Sequence, residues 1–179
     1  MGHRHSHDSG DSPQAPCGID TPEHLAEHLA EVVRPSTVIV CVGNELCGDD
    51  GAGPAVAREL AGSVPWEVCD AQTVPESFLM KIVNRRPASV VLVDGLDFAA
   101  PPGSVELFAT DGLTGQGPST HGPAPLAFLD VLAMVHPCPC AVLGIRPLRT
   151  EVGQGLSDEV RAGVDLVVSG FRLLAKAAS

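Results

Sequence analysis

The 179-residue sequence is poor in positive charge, with 11 Lys and Arg against 22 Asp and Glu and a net charge of −11. That balance argues against a nucleic-acid partner or an anionic membrane surface, because the overall field repels both. No stretch approaches the roughly 20 apolar residues that cross a bilayer. The N-terminus is polar where a signal peptide carries an apolar segment, so a cytoplasmic location is the expectation. The cysteines Cys17, Cys41, Cys47, Cys69, Cys138 and Cys140 contain no C-x-x-C spacing, which favours free thiols in a reducing compartment over disulfides. Cys138-Pro139-Cys140 is a C-x-C with metal-binding capacity, but Cys140 opens an apolar run, where cysteine behaves as a small hydrophobe. No G-x-S-x-G is present either. Ser119 and Thr120 therefore lack the setting of a serine hydrolase.

What is present is ordinary globular composition, 44% hydrophobic and 18% charged, enough for one domain with a substantial core. Residues 1–20 carry His3, His5 and His7 among Ser, Asp, Gly and Pro without apolar periodicity. They read as a disordered His-rich tail, either dispensable or able to capture a transition metal such as nickel. Residues 21–35 form a helix and linker: Thr21-Pro22-Glu23 supplies an N-cap, a first-turn proline and a first-turn acid. Within it His24-Leu25-Ala26-Glu27-His28 satisfies H-x-x-E-H, the inverted zincin pattern. An exposed amphipathic lid with Leu25, Leu29 and Val32 inward fits the same periodicity better.

Residues 36–179 alternate strand and helix patterns. Strands are expected at Thr37–Val42, Trp66–Cys69, Ser89–Val93, Ser104–Phe108 and Cys140–Ile145. Helices are expected near Ala52–Ala61, Glu76–Asn84, Pro125–His136 and Ser157–Ala177. Continuous apolar runs such as Val90-Val91-Leu92-Val93 suit parallel strands buried on both faces. The fold class is α/β, a three-layer fold with a mostly parallel, roughly five-stranded sheet between helices. Ligands in such folds bind beyond the carboxyl ends of the strands, and Asp50, Asp70 and Asp94 all follow strand ends. The glycine-rich segment Ala109–Gly122 reads as a mobile loop over the site that delivers His121.

The most informative stretch is Val38–Gly53, where an apolar strand empties into the glycine-rich turn Gly43-Asn44-Glu45-Leu46-Cys47-Gly48-Asp49-Asp50-Gly51. Gly43 to Gly48 mimics the start of a P-loop, but a P-loop continues with Lys and Ser or Thr. Asp49 and Asp50 stand there instead and would repel phosphate, so a cation or proton is the better guest. Asp49 also suits the plain role of an acid at a helix N-terminus, and His136 that of a residue complementing a helix C-terminus. Asp94 either orients a ligand or caps a turn, and Asp97 pairs with it as a weaker candidate.

This turn, G-N-x-L-x-G-D-D-G-x-G-P, resembles the N-terminal signature of the [NiFe]-hydrogenase maturation endopeptidases. Cys69-Asp70 with Thr73, Pro75 and Glu76 resembles the family's second acidic segment, and Ser119-Thr120-His121 with Pro125-Leu126 its histidine segment. Val93-Asp94-Gly95, Pro102-Gly103 and Leu143–Pro147 extend the likeness across residues 37–175. The resemblance implies that Asp50, Asp70 and His121 form the catalytic and metal-binding triad. It implies an endopeptidase that removes a C-terminal extension from the precursor of a [NiFe]-hydrogenase large subunit, with nickel supplied by that partner. Two carboxylates and an imidazole leave open positions on a divalent ion. A non-catalytic nickel-sensing or metallochaperone module is the alternative.

Overall fold

The computed structural model describes residues 18–110 and 124–178. Five strands, β1 (Thr37–Val42), β2 (Glu67–Gln72), β3 (Ser89–Gly95), β4 (Val105–Ala109) and β5 (Cys140–Ile145), form one sheet in the order β2-β1-β3-β5-β4. All neighbours run parallel except β4, which joins the edge antiparallel to β5 with Val105 opposite Ile145. β1 and β3 are buried along their whole length, as strands covered on both faces must be.

Five α-helices cover the sheet: α1 (Pro22–Val32), α2 (Ala52–Leu60), α3 (Leu79–Asn84), α4 (Ala124–Val135) and α5 (Asp158–Ala177). Alternation along each strand sorts the core into two halves. Ile39, Cys41, Val91, Val93 and Leu143 pack with α1, α2 and α5. Val38, Val40, Val90, Leu92 and Val142 pack with Ile82 of α3 and with Phe128, Leu129 and Leu132 of α4. The expected three-layer α/β architecture is what the chain adopts.

Helix α1 begins as its sequence dictates, with the Thr21 hydroxyl accepting the His24 amide at 3.2 Å. Its apolar face is inward as expected: Leu25 and Leu29 are fully buried in the core against α5, Val32 packs on the same cluster, and the Leu25 side chain lies close to Gly170, while Glu23, Glu27 and Glu31 are exposed. The helix expected over Glu76–Asn84 is divided: Pro75–Phe78 is a 3-10 turn and α3 starts only at Leu79. His136 at the end of α4 does more than face a dipole, since its Nε2 lies 2.9 Å from the Pro87 carbonyl oxygen just before β3.

Topology fixes where a site can form. From β1 the chain crosses to β2 on one side, and from β2 it passes over β1 to β3 on the other. The strand order therefore reverses between β1 and β3, and a crevice opens beyond their carboxyl ends.

Candidate functional site

The turn after β1 occupies that crevice. Gly43 has φ of +143°, and a Cβ there would fall 1.9 Å from the Asp50 carbonyl oxygen, so only glycine permits the chain to fold back on itself. The Asn44 amide donates to that Asp50 oxygen at 3.0 Å, and the Asn44 side-chain oxygen accepts the Leu46 amide at 3.0 Å. A 3-10 turn over Gly48–Gly51 then presents Asp49 and Asp50 before α2 begins.

The two neighbouring acids have different fates. Asp49 is fully buried and accepts the amides of Leu148 at 2.9 Å, Arg149 at 3.0 Å and Ser157 at 2.6 Å, with the Ser157 hydroxyl at 2.9 Å. Burial pushes its carboxyl upward, but the hydrogen bonds from Ser157, Arg149 and Leu148 outweigh that and hold it below the usual carboxylate range. The bland role expected for Asp49 is thus a substantial structural one: it ties the turn to the loop between β5 and α5.

Asp50 instead faces the end of β3. A Cβ on Gly95 would lie 3.8 Å from the Asp50 Cα, so the end of β3 sits in van der Waals range of the turn. Asp94, beside Gly95, is 4% exposed. Burial first, and then the Asp50 charge, push its carboxyl up to about 7 against a hydrogen bond from the Gly95 amide. A carboxyl so placed is a functional-site signal, and the sequence already marked it as a charged residue ending a buried strand.

Asp70 lies on the other side of β1. It is exposed, and its Oδ1 accepts the Gln72 amide at 3.2 Å within its own turn. Gln72 in turn accepts the Gly43 amide at 2.9 Å, fastening the end of β2 to the start of the acidic turn. In register Asp70 pairs with Cys41, whose thiol burial, followed by the Asp70 charge, pushes far up. Asp97 is engaged elsewhere, with Arg146 Nη2 at 2.9 Å from its Oδ1 while the same guanidinium donates to the Phe98 and Pro147 carbonyls. Asp50 and Asp94 are thus electrostatic neighbours, while Asp70 ends the strand on the other side of β1, next to the same acidic turn. His121, Ser119 and Thr120 lie outside the described residues, and so do residues 1–17.

A cation fits the Asp50–Asp94 pair on chemical grounds, since a positive charge relieves two carboxylates crowded in a low-dielectric crevice. Among the described residues no group of three or more His, Cys, Asp or Glu surrounds one point, so these two would need further donors. The five described cysteines are all free, as expected, with Cys138 Sγ and Cys140 Sγ 4.0 Å apart. No described helix is long and apolar enough to cross a membrane.

Known proteins share this fold. The chain is 34% identical over 94 residues to hydrogenase 3 maturation protease of Escherichia coli K12, a match that covers 51% of this chain and 60% of that relative. Its fold matches the crystal structure of a [NiFe] hydrogenase maturation protease HycI from Thermococcus kodakarensis, with TM-score 0.75 at 23% identity over 83% of this chain and 99% of the other. It also matches the solution structure of an endopeptidase HycI from E. coli, with TM-score 0.68 at 27% identity over 76% and 89% of the two chains. A family model described as hydrogenase maturation protease spans residues 54–171. With that match across most of its length, the chain belongs to the hydrogenase maturation protease family.

Proposed function

We propose that this chain is an endopeptidase that cleaves the C-terminal extension from a nickel-loaded [NiFe]-hydrogenase large-subunit precursor in the cytoplasm. The observation that carries the reading is the Asp50–Asp94 pair at the strand-order reversal between β1 and β3, in a chain of this family. In this reading nickel belongs to the substrate. Asp50 and Asp70 offer it carboxylate oxygens and His121 adds an imidazole, with the buried Asp94 beside Asp50. A cation held there supplies Lewis-acid chemistry at the scissile amide. The rest is positioning: the Asp49 hydrogen bonds hold the turn rigid, and Gly43 lets the backbone fold back so that Asp50 is presented at the end of β3.

The test incubates the metal-stripped chain with nickel-loaded precursor and follows intact mass. Loss of a defined C-terminal peptide is the expected result. Transfer of nickel with the precursor mass unchanged would mean a metallochaperone. Cleavage only by a nickel- or zinc-loaded chain acting on nickel-free precursor would mean an ordinary metallopeptidase that does not inspect its substrate's metal.

A further inference from the structure

The inverted zincin pattern in α1 is not absorbed by the site described above, and its geometry has a use of its own. His24 and His28 are four residues apart on a helix, one turn above the other. Their Nε2 atoms are 3.0 Å apart, with ring centroids separated by 4.7 Å and the planes tilted by 45°. Two metal–nitrogen bonds of about 2.1 Å meeting at a right angle put their nitrogens about 3.0 Å apart. The spacing found is that of a chelate.

We propose that His24 and His28 form a two-imidazole site for a divalent first-row transition cation of the nickel–copper–zinc group, separate from the Asp50–Asp94 crevice. Asp20 supports it. Its Oδ1 lies 3.5 Å from His24 Nδ1, on the side of the ring away from His28, where a carboxylate favours the tautomer with the proton on Nδ1 and the Nε2 lone pair free. Carboxylates behind metal-ligating histidines do this generally. In that tautomer His28 Nε2–H donates to the lone pair while no metal is bound; when a cation binds, solvent carries this proton from Nε2 to His28 Nδ1 and the neutral ring presents Nε2 as the second donor.

Three further observations favour a cation here. The helix carries Glu23, Glu27 and Glu31 and no Lys or Arg, so the local field is negative. Leu25 and Leu29 are fully buried beneath the same turns and Thr21 caps the helix, so the two imidazoles are presented on a fixed backbone and little ordering is needed on binding. Both histidines are only half-buried, which leaves room for water in the remaining coordination positions. Imidazole pairs follow the usual rise in affinity toward copper, with nickel and zinc close behind. The site is not a peptidase centre: no third potential ligand among the described residues joins the pair, and a zincin needs one.

The experiment records amide and imidazole NMR spectra of the full 15N-labelled chain, 18.5 kDa, during titration with Ni2+ at about pH 8, where free imidazoles are uncharged. Paramagnetic broadening is expected first over residues 21–32. His24→Gln or His28→Gln should each abolish that broadening while leaving the rest of the spectrum in place. Asp20→Asn should weaken the apparent affinity about tenfold, as loss of a supporting carboxylate does. Broadening confined to the segments holding His3, His5 and His7 or His121, or broadening of α1 that survives both glutamine substitutions, overturns the proposal. So does an α1 spectrum unchanged at roughly millimolar Ni2+, for that would leave the 3.0 Å contact a hydrogen bond between neutral rings.

Discussion

The carboxyl ends of β2 and β3 flank the same residue of β1: Cys41 pairs with Asp70 on one side and with Val93, next to Asp94, on the other. The two aspartates nevertheless occupy opposite environments. Asp70 is exposed and serves its own turn, whereas Asp94 is buried with the Asp50 charge beside it. The difference comes with the turn after β1, which lies against the end of β3 at Gly95 and is anchored through Asp49 to the β5–α5 loop. Ending a strand brings a carboxylate to the crevice; the neighbouring loop decides whether it is buried there.

Activity should break the comparison most sharply. Asp50→Ala and Asp94→Ala are each expected to lower kcat/KM for precursor cleavage by roughly 1000-fold or more, about 4 kcal/mol of transition-state stabilisation, with circular dichroism unchanged. His121→Ala should match them. Asp70→Ala, as the second carboxylate ligand, should match them as well despite its exposed setting. Activity retained by Asp70→Ala would leave the β2 end outside the metal site and turn the distinction between the two flanks into a functional one.

Stability gives the next effect. Asp49→Ala orphans three backbone amides and a hydroxyl in a buried place, for an expected loss of about 3 kcal/mol in urea unfolding. Asp49→Asn keeps one acceptor oxygen and should cost less. Because the folded-state pKa of Asp49 is lowered, its contribution is present above the unfolded value of about 3.9 and is lost as pH falls through the folded one. An alanine variant as stable as the parent at pH 7 would mean the turn does not depend on this anchor.

Asp94 has the opposite sign. Its folded-state carboxyl titrates at about 7, so between about pH 4 and 7 the folded state holds a proton that the unfolded chain has released. Stability should fall across that window as pH rises, by on the order of 2–4 kcal/mol for the metal-free protein. Asp94→Asn removes the slope and should be the more stable form at pH 8. An unchanged slope in the asparagine variant would show that Asp94 is already ionised, and its buried pairing with Asp50 would need another explanation.

Much of this was legible in the residues themselves. Thr37–Val42 and Cys140–Ile145 could be bounded from sequence because both faces of each strand are buried, and an apolar run stops where burial stops. The acidic turn was legible because no phosphate loop tolerates Asp49-Asp50. The contrast between Asp70 and Asp94 was not, since both look alike as acids after apolar strands and only the crossover over β1 separates them. The partners of Asp49 lie about 100 residues downstream, beyond any local pattern. The break at Leu79 was hidden because the apolar pattern runs through Phe78, where a 3-10 turn gives way to α3.

The smallest effect sharpens the comparison from the exposed side. Asp70→Asn keeps the oxygen that accepts the Gln72 amide, and asparagine caps such a turn as well as aspartate does. Gln72 sits at φ of +49° and is held there by the Gly43 amide, a contact that does not involve the Asp70 side chain. Urea unfolding at pH 7 should therefore shift by less than about 0.5 kcal/mol. The same substitution made at Asp94 should shift it several-fold more, and in the stabilising direction, because there it removes a charge from a buried place. If Asp70→Asn cost as much as about 2 kcal/mol, the β2 end would be gripped by a charged partner, and Asp70 would belong with Asp49 as an anchor of the turn and not with the solvent.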